Sequence, residues 1–346
     1  MYRVRGEVDA LQRLSQARQH SDNEPGCNHN QSRTNHCQRE KQEQNTTKNK
    51  RCSICFTCLG FNTMKTNVHI LRNTFAPKKV LLISDAHWDN PKCDRELLRS
   101  HLEKAKEIGA DILLNGDTFC LMQGSYDPRK NKSDIRPEHN KSNYLDAVVN
   151  DAVKWFSPYA HLIKVVGYGN HETNILKRQE TDVIERFVYG LNSTNDTNVE
   201  VGGYGGWIIY NFAREASKQT VNFNIKYFHG SGGGGPVTKG TIQFNRMQTF
   251  VEGADMIWMG HVHEDHELTY TVERLTQKNK VRLKDILMVR TATYKEEYNE
   301  GKGGWHVERG ASPKPLGGRW LEMHPQRVVK DGKEEIKVNA FTYKIR

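Results

Sequence analysis

The sequence predicts an α/β domain, and three observations carry the prediction. From Lys79 onward, short apolar and β-branched runs alternate with stretches of helical spacing. Each of several such runs ends in Asp, Asn or His beside small residues, as strands feeding functional loops do. At 346 residues the chain is long enough to bury a sizeable core.

Taken in order, residues 79–84 form an apolar run. Residues 94–108 have helical spacing through Leu97, Leu98, Leu102 and Ala105, and 110–114 form a second buried strand, completing a β-α-β unit. Residues 118–142, with Gly124, Pro128, Pro137 and many charges, read as a long inserted loop. A helix is predicted over 143–156, then a strand ending at Val166, then a helical region reaching from Ile175 to Leu191. Strands near 206–210 and 223–228, a helix near 242–251 and a strand at 255–259 continue the pattern. Beyond them the signals turn mainly β. Residues 286–291 make a strand, and 327–330 with 335–343 close a hairpin around Asp331-Gly332, a pair suited to a tight primed turn. Residues 294–326 carry no assignable element.

Residues 1–63 are rich in Gln, Asn, Arg and Lys and offer little to bury, so they read as a disordered or spurious upstream extension, with a domain over 64–346. Five of the seven cysteines precede Met64, which excludes a disulfide framework for the domain. Cys52, Cys55 and Cys58 could offer zinc three thiolates, with a histidine or Cys37 as fourth ligand. A tail without metal is the favoured reading, because a second paired-ligand motif is missing. No apolar stretch approaches the roughly 18–20 residues that span a bilayer, and no secretory h-region follows the first arginines, so no membrane partner and a cytoplasmic address are expected. The net charge of +10 favours anionic partners.

The chemistry lies at the strand ends. Tyr168-Gly169-Asn170-His171-Glu172 follows one apolar run; Asp85-Ala86-His87, Gly116-Asp117, His229-Gly230 and Gly260-His261-Val262-His263 follow four others. Asp85 and His87 are two apart, as are His261 and His263, so in extended backbone each pair would point to one side and clasp one ion. Asp, Asn and His suit Mn, Fe or Zn, and seven such ligands are too many for one ion. Two ions sharing a carboxylate would use them all, at the separation of about 3.5–4 Å that clamps in-line attack on phosphorus.

With these blocks in the order DAH, GDTFC, GNHE, FHG and GHVH, the chain resembles the calcineurin-like metallophosphoesterases over roughly residues 79–265. The resemblance implies two packed mixed β-sheets flanked by helices, with the C-terminal β region joining the second sheet. It implies one metal on Asp85, His87, Asp117 and His263, and another on Asp117, Asn170, His229 and His261, with Asp117 as the bridge. It makes His171 the catalytic histidine that protonates the leaving oxygen, and Glu172 an orienting neighbour. Cys120 departs from the acidic residue or Asn that often ends the second block. The HGSGGGGP stretch at 229–236 is also similar to phosphoesterases of bacteriophage genomes.

Metal-dependent hydrolysis of a phosphate ester follows, with a phosphodiester of nucleic acid or nucleotide type as the expected substrate. A small-molecule phosphomonoesterase and a non-catalytic scaffold are the alternatives. Arg129, Lys130 and Arg136, with Lys132 and His139, are candidate phosphate contacts in the insertion, against the reading of a solvated charged loop. The glycines at 232–235 lack the Gly-Lys-Ser/Thr of a P-loop, and His266, outside every block, reads as a surface histidine.

Overall fold

The two faces of strand β2 (Lys78–Ile83) explain the architecture. Val80 and Leu82 point into one core, and Leu81 and Ile83 into another, as period-two alternation requires. A strand covered on both faces reads as an unbroken apolar run, which is why this one was legible in the sequence.

The computed structural model describes residues 67–121, 134–215, 217–235, 237–298, 301–302, 305–308, 310–330 and 332–345. The N-terminal extension, its Cys52, Cys55 and Cys58, and the candidate contacts Arg129, Lys130 and Lys132 lie outside the described residues.

One six-stranded sheet runs in the order β12 (Lys333–Lys344), β11 (Arg319–Lys330), β2, β3 (Asp111–Asn115), β4 (Ile163–Gly167), β5 (Glu200–Val201). The other runs β1 (Val68–Thr74), β6 (Gly205–Ala213), β7 (Thr220–Phe228), β8 (Met256–Met259), β10 (Val281–Arg290), β9 (His266–Leu275). Both are mixed: β2 to β5 are parallel while β11 is antiparallel to β2, and β7, β8 and β10 are parallel while β9 is antiparallel to β10. The core between the sheets joins Val80, Leu82, Leu113 and Val165 to Ile208, Tyr210, Ile225 and Trp258. Each such fully buried side chain contributes about 1.5–3 kcal/mol.

Helices α1 (Arg95–Ile108), α2 (Tyr144–Phe156), α3 (Asn170–Gln179) and α4 (Val183–Asn195) cover the outer face of the β2-β3-β4 sheet. In α1, Asp94 caps the start by accepting from the Leu97 N–H at 2.9 Å, Gly109 closes the end at φ 63, and Leu98, His101, Leu102 and Ala105 face inward at the helical period. On the other sheet, α5 (Thr241–Gln248) packs Phe244 and Met247 against Ile257, Met259, Ile286 and Met288.

Several expectations change. The helical region predicted from Ile175 to Leu191 is two helices, broken where Glu180 takes φ 51 and Asp182 caps α4 by accepting from Ile184 and Glu185 N–H. The strand predicted at 286–291 is the buried half of a ten-residue strand, and its partner β9 was missed because its outer residues are polar and exposed. The C-terminal hairpin begins at Arg319, earlier than predicted. His266 is not a surface histidine: it is half-buried, its ring stands edge-on to Phe244 at 5.8 Å, and burial lowers its pKa to about 4.

Candidate metal centre

Adjacent parallel strands place their carboxyl ends on one edge of a sheet, where ligands bind in α/β folds. β2 delivers Asp85 and His87, β3 delivers Asp117, and β4 leads into Asn170 and His171 in the first turn of α3. From the second sheet, β7 delivers His229 and β8 delivers His261 and His263. Asn115, at the end of β3, stitches the two sides: its Nδ2 donates to the Phe228 and Trp258 carbonyls at 3.4 Å, and its own carbonyl accepts from His229 Nδ1 at 2.8 Å. Its position, a lone amide closing an apolar strand, was the overlooked sequence signal.

The backbone reasoning for the paired ligands is corrected. Asp85 (φ 52), His87 (φ 45), Asp117 (φ 48), His261 (φ 73) and His263 (φ 55) are left-handed, not extended. Each such residue stores of order 1 kcal/mol of strain or more, and the surroundings hold it there. His261 N–H donates to Asp85 Oδ2 at 2.9 Å, and the Asp85 carbonyl accepts from Thr293 Oγ1 at 2.8 Å and Tyr294 N–H at 3.1 Å. A Cβ on Gly169 would overlap the Asp117 carboxylate, and one on Gly260 the Asp85 carboxylate, so both positions require glycine.

The seven candidate ligands come together in two groups, Asp85–His87–His263 and Asp117–His229–His261, with Asn170 beside the second. In the second group the His229 Nδ1 proton is committed to a carbonyl, which can only accept. Its Nε2 then faces Asp117 Oδ2 at 3.2 Å and Asn170 Oδ1 at 3.3 Å, so acceptor atoms converge on one point. His261 repeats this: Nε2 donates to the Gly232 carbonyl at 2.9 Å, leaving Nδ1 at 2.7 Å from the same Asn170 oxygen. A cation at that point would satisfy all of these atoms at once. A proton serves in the bare chain: burial lowers the His229 pKa, but the Asp117 carboxylate overrides it and raises the group to about 10. A divalent metal would replace that proton.

In the first group Asp85 Oδ1 is fully buried without a hydrogen-bond partner, 3.4 Å from His263 Nε2, which is itself 3.3 Å from His87 Nε2. Donors bound about 2.0–2.2 Å from one ion lie about 2.8–3.6 Å from each other, so these spacings fit ligand edges. Burial, then the His171 ring, holds His87 well below the usual imidazole pKa and keeps it a neutral donor. Burial favours protonating Asp117, but His229 and His171 more than offset it and hold the carboxyl well below its usual range. Asp85 Oδ1 also lies 3.9 Å from His229 Nε2, which links the first group to the second.

His171 donates its backbone N–H to Asp117 Oδ1 at 2.9 Å, and its Nε2 lies 3.9 Å from Asp117 Oδ2. Its Nδ1 donates to the Cys120 carbonyl at 2.5 Å. Glu172 accepts from the Asp117, Phe119 and Gly169 N–H groups at 3.1, 3.0 and 2.8 Å. Burial and Asp117 push its carboxyl up to about 8, and the backbone donors pull it back. The Cys120 thiol is buried, its pKa raised by burial, and accepts from Asn90 Nδ2 at 3.2 Å. Arg136 donates to the Asn90 and Cys93 carbonyls at 3.1 and 3.2 Å, which makes it a brace for the loop after β2. On the second sheet's side, buried Arg290 donates to the Gly260 and Gly240 carbonyls, a clamp with no sequence motif to announce it.

No family model matches the sequence, and no curated protein matches it. Solved structures similar to it include the Thermotoga maritima protein TM1076, at 12% identity, covering 76% of this chain and 99% of that one with a TM-score of 0.28. GAP50, the anchor in the inner membrane complex of Plasmodium, has 10% identity, coverage of 78% and 89%, and a TM-score of 0.34. Vps29 of Chaetomium thermophilum has 9% identity, coverage of 77% and 98%, and a TM-score of 0.22. TM-scores this low say nothing of what this chain does. Among the described residues, no helix is long and apolar enough to cross a membrane.

Proposed function

We propose that the chain is a dinuclear-metal-dependent hydrolase of a phosphate ester, acting on a phosphodiester of nucleic acid or nucleotide type. The observation that supports this most strongly is the convergence of metal-ligand atoms: His229 Nε2, His261 Nδ1, Asp117 Oδ2 and Asn170 Oδ1 around one point, beside Asp85 Oδ1, buried without a hydrogen-bond partner between His263 and His229. Asp85, His87 and His263 would hold one ion, and Asp117, Asn170, His229 and His261 the other. Divalent ions there would neutralise charge on the phosphoryl oxygens and lower the pKa of a bound water.

The remaining work falls to the chain's own groups. The His171 and His263 side chains are 13% exposed while those of Asp85 and His229 are fully buried, so a substrate approaches from the His171 and His263 side. The hydrogen bond from His171 Nδ1–H to a carbonyl fixes the ring and leaves Nε2 as the nitrogen that takes up a proton, so that the imidazolium form would give its Nε2 proton to a leaving oxygen and return to the Nδ1–H tautomer. Glu172 holds the Asp117 backbone in its strained conformation, keeping the carboxylate aimed inward. The net charge of +10 favours a polyanionic substrate.

The test is hydrolysis of bis-p-nitrophenyl phosphate and p-nitrophenyl phosphate by metal-stripped protein resupplied with Mn(II), Fe(II) or Zn(II). Metal-restored turnover that Asp117→Ala abolishes, with preference for the diester, is expected. Preference for the monoester would replace the diesterase reading, and a folded, metal-loaded chain with no turnover would favour a scaffold.

A further inference from the structure

Asp89 belongs to none of the sequence blocks, yet it is 1% exposed and gathers three donors. Its Oδ1 accepts from the Cys120 N–H at 2.5 Å, and its Oδ2 accepts from the Leu121 N–H at 2.9 Å and the Tyr144 hydroxyl at 3.1 Å. We propose that Asp89 is a positioning residue for His171, acting through the Cys120 carbonyl. The inference rests on the hydrolase reading for its kinetic consequence, and on geometry alone for its structural one.

Residues 116–121, the described start of the loop after β3, have no helix or strand of their own to fix them. Its first residues run beside the loop after β2, with the Asp85, His87 and Trp88 N–H groups donating to the Gly116, Asp117 and Thr118 carbonyls at 3.0, 2.9 and 2.9 Å. That ladder stops at Thr118. Beyond it, Glu172 takes the Phe119 N–H, and Asp89 takes the next two. Leu121 sits at φ 52, a conformation a γ-branched residue adopts only when held, and the carboxylate bond to its N–H holds it.

The peptide joining Cys120 to Leu121 is therefore pinned on both sides. The N–H groups of Cys120 and Leu121 are tied to one carboxylate, and the Cys120 carbonyl accepts from His171 Nδ1. Because a carbonyl cannot donate, this bond selects the Nδ1–H tautomer of His171. A side-chain carboxylate could orient the ring directly, but Cys120 offers a thiol that is turned to Asn90. The backbone supplies the acceptor, and Asp89 fixes the backbone. Tyr144 holds Asp89 in turn, its hydroxyl kept protonated by burial and then by Asp89 itself.

The experiment compares the wild-type full chain, loaded with diamagnetic Zn(II), with Asp89→Ala, Asp89→Asn and Tyr144→Phe. Imidazole nitrogen NMR reads the His171 tautomer, metal analysis reads the ion content, and turnover is resolved into kcat and KM. For Asp89→Ala we expect unchanged ion content, a kcat lower by about 10–100-fold with a smaller change in KM, and a mixture of His171 tautomers. Asp89→Asn, which keeps an acceptor oxygen, should fall between, and Tyr144→Phe should show the smallest shift in both readouts. If Asp89→Ala does not fold, the two milder variants decide. A His171 ring that stays in one Nδ1–H tautomer in every folded variant, with kcat unchanged, would overturn the proposal. Wild-type protein without turnover would defeat the hydrolase reading, while the tautomer measurement would still decide whether Asp89 governs His171.

Discussion

The two sheets carry out the same task with opposite hydrogen-bonding groups, acceptors on one side and donors on the other. On the β2-β3-β4 side, loop N–H groups are gathered by buried carboxylates: Glu172 takes Asp117, Phe119 and Gly169, and Asp89 takes Cys120 and Leu121. On the β7-β8 side, loop carbonyls are gathered by a buried guanidinium: Arg290 takes Gly260 and Gly240, with its plane 5.0 Å from the Phe244 ring centre. The difference follows from which backbone groups each loop turns toward its clamp. A strained ligand loop is held by a buried, immobile side chain, and whether that side chain accepts or donates is set by the backbone it meets.

The largest test removes the joint between the two sides. Asp85→Ala deletes the acceptor for His261 N–H and a carboxylate oxygen 3.4 Å from His263 Nε2 and 3.9 Å from His229 Nε2. Turnover should fall by about 10²–10³-fold or more, with loss of bound metal measured by elemental analysis. Retained metal and activity would show that the sides are held together elsewhere.

Next come the two clamps. Arg290→Met removes the charged donor from the buried Gly260 and Gly240 carbonyls, which keep only the Val262 and Gln243 N–H groups, and should lower stability by about 1.5–3 kcal/mol in denaturant unfolding. Glu172→Gln can still accept through its amide oxygen, so it should cost about 1–2 kcal/mol and weaken metal affinity by about 10–100-fold. Equal effects of both substitutions would sharpen the symmetry, and a neutral Arg290→Met would break it.

A last effect is on acid stability, with one histidine on each side. Burial lowers His101, opposed by Asp94, to about 4, and lowers His266, together with Arg290 and Arg319 and against Glu264 and Asp265, to about 4. Their folded pKa values lie below the unfolded value of about 6.5, so the unfolded chain binds more protons as pH falls. The contribution is present in full above about pH 6.5 and is lost progressively down to about pH 4, by at most ~3 kcal/mol for His101 and less for the half-buried His266. Urea unfolding across this window should show the loss, and His101→Gln should flatten its share; a stability unchanged over the window would contradict the assignment.

The sides also differ in how far the sequence disclosed them. The β2, β3 and β4 strands announced themselves because helices cover their outer face and a second sheet their inner one, leaving apolar runs that stop abruptly at Asp85, Asn115 and Gly167. β9 and the outer half of β10 are largely exposed and carry Glu273, Arg274, Arg282 and Lys284, so their strand character comes from pairing with each other. All seven candidate ligands were legible, since glycines and paired polar residues end apolar runs. Their left-handed backbone was not, because nothing in Asp, His or Asp-Ala-His reports φ. Asp89, Asn115 and Arg290 stayed hidden for another reason: each acts on backbone groups far away in the chain, and single buried polar residues have no spacing to betray them.

In the proposed hydrolase, the seam between the sheets would hold two ions, one for each group of ligands. The measurement that tests it most directly is a Mn(II) titration of the metal-stripped full-length protein, read by calorimetry. Two ions per wild-type chain are predicted, with His87→Ala losing one and His229→Ala losing the other. A single site in the wild-type protein, or two sites that survive both substitutions, would contradict it.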